Sequence, residues 1–258
     1  MFKEIIKYKD LLFMLTLRDI RIRYKQAAMG FLWALFMPMV AVLAGIVIKK
    51  AMAITSGIPM DLAGVVSISV KVLPWTFFIS ALRFSVQSLV GNSNLVTKIY
   101  FPREVLPLAS TLACLFDFAI ASATLTVLLI VVRIGISIHL LWVPLLLIFL
   151  FLFTAGLCFL LACANLFFRD VRYIVQVILM FGIFFTPIYY HSSTFGKWQT
   201  LLLINPIGSI LESLNYAIVL HSMPDVFWLT YSGIASILMF AIGLAVFHKN
   251  EPMFAENI

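Results

Sequence analysis

Residues Leu141–Asn165 read LWVPLLLIFLFLFTAGLCFLLACAN. No Asp, Glu, Lys or Arg interrupts them, and the charge-free run around them extends from Ile134 to Phe168. A helix needs roughly 20 apolar residues to cross the ~30 Å hydrocarbon core of a bilayer. This stretch is long enough to do so. The rest of the chain agrees with it. Of the 258 residues, 63% are hydrophobic and 11% are charged, where an ordinary soluble domain carries about 25% charged residues. The mean hydropathy is +1.10. A soluble chain of this size would lack polar surface to cover its core. The fold class expected is an all-α integral membrane protein.

Five further apolar regions flank that helix, giving six expected transmembrane spans: about residues 30–48, 72–90, 106–132, 141–165, 173–190 and 226–247. Arg83 interrupts the second and Asp117 the third. The third and fourth are joined by Arg133–His139, a link short enough to require an antiparallel hairpin. The whole chain, 1–258, reads as one transmembrane domain.

Lys and Arg set the orientation. Seven of the eighteen basic residues lie in the first 25 positions. With the N-terminus in the cytoplasm, the inside segments hold those seven plus Lys98, Arg103, Arg169, Arg172 and Lys249. The outside segments hold Lys49, Lys50, Lys71, Arg133 and Lys197. Twelve against five places both termini in the cytoplasm, with Lys49-Lys50 as a local dissent.

Residues 1–28 suit an amphipathic helix in the headgroup plane, with Leu12, Phe13 and Leu15 set between basic positions. A plain cytoplasmic tail is the alternative. The alternation in Arg18–Lys25 also leaves an extended segment open. The first 25 residues lack the apolar core and cleavage site of a signal peptide, so they are expected to be retained. Residues 191–225 are too apolar for a solvated loop and too interrupted for two spans. Asn205-Pro206 is a good helix start, and Ile207, Ile210, Leu211, Leu214 and Ile218 follow at helical spacing. Half-length or re-entrant helices on the outer side before the last span explain this. An extracellular amphipathic helix is the alternative.

Catalytic motifs are missing. The sequence holds no G-x-S-x-G, no H-E-x-x-H and no phosphate-binding G-x-x-x-x-G-K-[ST]. No metal site is expected: the four histidines fall near span boundaries, and Cys114, Cys158 and Cys163 lie inside apolar runs as packing residues. The basic N-terminal block adjoins an apolar run, so membrane lipids rather than nucleic acid are its expected partner. Arg83 and Asp117 are conspicuous charges at depth. They lie about 10 and 15 Å from the cytoplasmic ends of their spans. An intramembrane ion pair between the second and third spans is expected, with proton coupling as its rival.

Several motifs resemble, in order along nearly the whole chain, the type-2 ABC exporter permeases. Arg23-Tyr24-Lys25-Gln26 leading to Gly30-Phe31-Leu32-Trp33 and Pro38 resembles the entry to that family's first span. Lys98–Pro107 and Phe168-Arg169-Asp170-Val171 resemble its two cytoplasmic loops, and Thr186–Tyr190 with Asn205-Pro206 its fifth span and outer helices. The polysaccharide branch, which exports O-antigen, capsule or teichoic acid, is the most similar.

The resemblance implies a homodimer carrying two copies of a cytoplasmic nucleotide-binding ATPase that holds the ATP and Mg. This chain itself is then a channel-forming permease without a cofactor and not an enzyme. It implies ATPase coupling through Asn94, Lys98, Ile99, Tyr100, Phe101, Arg103, Arg169 and Asp170. It implies a translocation path along the aromatics Phe31, Trp33, Phe36, Trp75, Phe78, Phe181, Phe184, Phe185, Tyr189 and Tyr190, and a cytoplasmic entrance at Arg21, Arg23, Tyr24 and Lys25. The expected substrate is a lipid-linked glycan crossing a bacterial inner membrane. A drug or small-lipid exporter permease is the nearest alternative. A membrane glycosyl- or phosphotransferase would need clustered acidic residues to hold metal-bound phosphates, and Asp10, Asp19, Glu104 and Asp170 are scattered.

Overall fold

A computed structural model describes residues 7–25, 30, 32–56, 62–131, 133 and 135–254. Helices dominate them, in the order α1 (Lys9–Tyr24), α2 (Leu32–Ser56), α3 (Leu62–Val86), α4 (Ser93–Lys98), α5 (Val105–Val131), α6 (Trp142–Phe167), α7 (Val171–Gly182), α8 (Gln199–Leu203), α9 (Pro206–Ile218) and α10 (Val226–Asn250). Among the described residues, four helical stretches are long and apolar enough to cross a membrane: Gly64–Val86, Val105–Ile130, Ile138–Phe167 and Val226–Met253. A fifth is added if the pair Gly196–Leu203 and Pro206–Ile218, bent by 112°, counts as one. Helix α2, with 25 residues, is of similar length. The chain is a multi-pass membrane protein.

The apolar runs at 106–132, 141–165 and 226–247 coincide with α5, α6 and α10 to within three residues at either end. The remaining spans differ: the first, expected over 30–48, runs on to Ser56 as α2. The second span was expected over 72–90, yet α3 begins at Leu62 and ends at Val86. It runs straight through Lys71, which is 1% exposed. The fifth was expected over 173–190, but α7 stops at Gly182 and tightens into a 3-10 turn over Ile183–Phe185. Together these rise about 24 Å, short of the hydrocarbon thickness. Pro187 is the cause. Its ring disfavours helical geometry at the preceding residue, and Thr186 is extended (φ −121°, ψ 132°).

The non-helical backbone that follows needs partners, because unsatisfied amides cost several kcal/mol in hydrocarbon. Thr186 Oγ1 donates to the Gly182 carbonyl (2.9 Å) and accepts from Asn205 Nδ2 (3.0 Å). Tyr190 Oη donates to the Phe184 carbonyl (2.9 Å). Lys71 Nζ donates to the Tyr190 carbonyl (2.7 Å).

Helix α9 starts as its sequence requires. The Asn205 side chain accepts from Ile207 N (3.2 Å), and Pro206 occupies the first turn. Its buried residues include not only Ile207, Ile210, Leu211 and Leu214 but also Ser209, Glu212, Ser213 and Asn215. It is enclosed by α3, α6 and α10. Helix α9 is thus buried within the bundle, and the 112° bend before it is that of a broken span or a re-entrant pair.

Two apolar clusters make the core. The larger joins α3, α6, α9 and the start of α10 through Trp75, Phe78, Leu150, Phe153, Leu211 and Leu229. The smaller gathers Leu15, Val96, Phe101, Leu106, Phe159, Leu166, Phe247 and Phe254 at the end of the bundle that carries α4. The three cysteines are buried and free.

Candidate functional site

The segment between α3 and α5 forms a compact knob. Asn165 Nδ2, from α6, donates to the Val86 carbonyl (2.9 Å) and so caps α3. A 3-10 turn (Val90–Asn92) and α4 follow. Asn92 takes the N-cap position of α4 without making a cap bond; its amide donates back to the Ser88 carbonyl (2.7 Å). Tyr100 is 96% exposed and Ile99 55% exposed. Lys98, Arg169 and Asp170 are exposed too, and Asn94 is exposed on α4.

The expected coupling set is divided by the fold. Phe101 is buried in the smaller core cluster. Arg103 is taken up by the C-terminal segment: its backbone N donates to Glu251 Oε1 (3.1 Å) and its guanidinium to the Glu251 carbonyl (2.5 Å). Both therefore shape the knob from behind, and Ile99 and Tyr100 form its tip. Beside them, His248 Nε2 lies 2.7 Å from Glu104 Oε2. Glu104 is 1% exposed. This tie between α10 and the start of α5 escaped sequence reading because the partners lie 144 positions apart. Glu104, His248 and Glu251 are ligand-type groups whose atoms all lie within 4.8 Å of one another; here His248 bonds to Glu104, and Glu251 accepts from Arg103.

Helix α1 resolves the alternation in Arg18–Lys25 as helical and packs along α5. Asp19 and Arg23 share one face at i,i+4. Facing them, Ser110, Cys114 and Asp117 share a stripe of α5. Ser110 Oγ donates to Asp19 Oδ2 (3.0 Å). Arg23 donates to Asp117 Oδ2 (2.7 Å), and Tyr24 Oη donates to Asp117 Oδ1 (2.6 Å). The Arg23 guanidinium also lies 4.0 Å from the centroid of the Phe84 ring. Burial, and then the bond to Asp117, raise the Tyr24 phenol above its ordinary value, so it remains a donor.

The expected Arg83–Asp117 pair is thus replaced by Arg23–Asp117. Arg23 lies on α1, outside the apolar spans, and supplies the partner. Arg83 is exposed and has no ion pair among the described residues. Of the expected entrance residues, Arg23 and Tyr24 turn inward against α5, beside a cavity of about 440 Å³ that Trp33, Phe84 and Asp117 also line. Arg21 and Lys25 are exposed.

This arrangement makes a prediction. Asp117→Ala leaves the Arg23 guanidinium with only the Ser110 carbonyl and the Cys114 sulfur as acceptors and should lower stability by about 2 kcal/mol, read as a drop in melting temperature in detergent. A double-mutant cycle should give coupling between Arg23 and Asp117 and none between Arg83 and Asp117.

Lys71 and Glu212 form a buried ion pair that no local sequence pattern marks. Lys71 Nζ lies 3.3 Å from Glu212 Oε2, with side chains 1% and 4% exposed. Glu212 Oε1 accepts from Ser192 N (3.2 Å) and stands 3.5 Å from His191 Nδ1. Lys71 and Glu212 therefore tie α3, the non-helical segment and α9 together.

The aromatic set also divides. Trp75 and Phe78 are 4% and 7% exposed. They sit midway along α3 rather than at its outer end, and they are core residues rather than path residues. Trp75 stands against Gly182, where an added Cβ would lie 3.3 Å from its ring. Phe181, Phe184 and Phe185 are 53–71% exposed on α7 and the turn after it. Trp33 and Phe36 are exposed on α2, in edge-to-face contact at 5.4 Å. Tyr189 packs on Gly45 of α2, where a Cβ would come 2.6 Å from its ring. Phe31 lies outside the described residues.

The chain is similar over nearly its whole length to three permeases. It is 26% identical to the O-antigen export system permease protein RfbA of Myxococcus xanthus over 259 residues, covering 99% of this chain and 98% of that one. It is 28% identical to two proteins of the same name from Klebsiella pneumoniae, each alignment covering 96% of this chain and 94% of the relative. Residues 10–219 match the ABC-2 type transporter family. That match takes in nearly all of α1, the knob, the bent pair and the ion pairs Arg23–Asp117 and Lys71–Glu212, and the chain belongs to the ABC-2 type transporter family.

Proposed function

We propose that this protein is the transmembrane subunit of an ATP-driven exporter that moves a lipid-linked, O-antigen-like polysaccharide across a bacterial inner membrane. The observation that carries the proposal is the full-length similarity to permeases named for O-antigen export. The geometry agrees with it. Arg103, bonded to Glu251, and the smaller core cluster hold α4, the start of α5 and the end of α10 at one end of the bundle, which the proposal assigns to the cytoplasm. There Ile99 and Tyr100 offer an apolar tip with basic flanks, and exposed apolar surface of this kind calls for a protein partner.

That partner is a separate ATPase, which binds ATP and Mg; this chain supplies no cofactor and no catalytic group. Two copies of the permease and two of the ATPase make the working unit. The exposed aromatics of α2 and α7 line the path between the copies, where flat π faces give sugars a weakly polar track. A drug exporter has less support, because the relatives are named for O-antigen export.

The test is co-purification of the tagged permease with the ATPase encoded beside it. Tyr100→Ala combined with Ile99→Asp should reduce recovery of the ATPase at least ~10-fold, as removal of a central anchor does at protein interfaces. The melting temperature of the permease should not change, because both side chains are exposed. Undiminished recovery would place the docking surface elsewhere.

A further inference from the structure

A groove of about 450 Å³ lies between α5, the start of α6, α3 and α9. On α5 its wall is Phe118, Ser122, Leu125, Thr126, Leu129 and Ile130, a single helical stripe. At 1.5 Å per residue that stripe is about 18 Å long. The floor is buried: Val70 and Leu73 come from α3 and Leu214 from α9. Phe118 marks the inner end, in ring contact with the buried Phe77 at 5.5 Å. At the other end, beside the α5–α6 link, Ile130 and Ile136 are 70% and 94% exposed, so the groove opens there. Among the described residues no charged side chain lines it, and the Thr126 hydroxyl is spent on the Ser122 carbonyl (2.9 Å).

The setting selects the occupant. Helices α5 and α6 are both long and apolar enough to cross a bilayer, so their link lies at a membrane surface and the groove runs inward from it. Its length of about 18 Å is close to the depth of one leaflet, roughly half of the ~30 Å hydrocarbon core. Apolar walls at that depth suit a hydrocarbon chain. A helix with its side chains is about 10–12 Å across and is too wide for the groove. A polyprenyl tail is much longer than one leaflet and would have to turn back at Phe118, whereas an acyl chain ends there. Bilayer phospholipid is also the most abundant hydrocarbon within reach, and occupancy follows mass action.

We propose that this groove holds one acyl chain of a bilayer phospholipid, which enters from the leaflet at the α5–α6 link. The chain lies against Leu214 and Ile218 and completes the packing of α9. The inference rests on the protein's crossing the membrane, and not on what it transports.

The experiment uses the full-length permease in phosphatidylcholine nanodiscs that contain a small fraction of phosphatidylcholine with a photoreactive diazirine in one acyl chain. Labelled residues are mapped by mass spectrometry. Label is expected on Leu129 and on Leu214, which is 2% exposed and is reached only through the groove. Ile234 and Ile237, more than half exposed on α10, report contact with bulk lipid. Leu125→Trp with Leu147→Trp fills the groove and should cut the label on Leu129 and Leu214 at least ~10-fold, equivalent to about 1.4 kcal/mol, and leave that on Ile234 and Ile237 unchanged. Added polyprenyl phosphate should not compete. An unlabelled Leu214 in the wild-type protein, which needs no variant to fold, overturns the proposal. So does label that the tryptophans do not reduce. Loss of label on adding polyprenyl phosphate also overturns it, by assigning the groove to a carrier lipid.

Discussion

Lys71→Met should lower stability by about 3–5 kcal/mol, the range found when one partner of a buried ion pair is removed. The reason is the carboxylate left behind. Glu212 is held at 4% exposure by Lys71 Nζ at 3.3 Å, and the remaining groups within reach of it are Ser192 and His191. The Tyr190 carbonyl loses its lysine bond in the same step.

Glu212→Leu added to Lys71→Met removes both charges. It should recover much of the loss, since apolar replacement of a whole buried pair is often close to neutral. About 1 kcal/mol should persist from the weakened Tyr190 carbonyl. Melting followed by tryptophan fluorescence in detergent reads these differences. A Lys71→Met protein as stable as wild type would show that the pair does not hold the segment between α7 and α9.

The second large effect lies at the crossing of α6 and α10. A Cβ added at Gly156 would stand 2.5 Å from the Met239 backbone, and one added at Gly243 would overlap the Gly156 carbonyl. The obstacle is backbone in each case, so no flexible side chain can give way. Small residues at such crossings let helices approach closely where lipid supplies no hydrophobic drive. Gly243→Leu should force the helices apart at a cost of about 3 kcal/mol or more. Gly91→Ala is the control, because a Cβ there meets nothing within 4 Å. Crosslinking between cysteines placed on α6 and α10 would report the separation directly.

How much of this was legible from the chain can be traced residue by residue. Helices α5, α6 and α10 follow charge-free or nearly charge-free runs, and burial in lipid or protein imposes the same pattern. The Asn205-Pro206 start was legible because capping is local. What failed was non-local. Lys71 looked like the end of a loop, since a lone lysine in an apolar run normally marks a boundary. Its partner lies 141 positions away on α9. Asp117 was legible as a charge that needs a cation, but the cation sits on α1, 94 positions earlier. Phe101 and Tyr100 are neighbours of the same aromatic character, and which of them turns inward depends on how the knob folds against α5 and the C-terminal segment.

The proposed work of this permease, with a separate ATPase on a lipid-linked polysaccharide, is tested by ATP hydrolysis and transfer of labelled polysaccharide in proteoliposomes containing the permease and the neighbouring ATPase. Hydrolysis should respond to the glycan, and the glycan should become accessible to an outside glycosidase only with ATP. Both should be lost in the Ile99→Asp, Tyr100→Ala variant. Glycan movement independent of ATP, or a permease that binds no ATPase, would overturn the proposal.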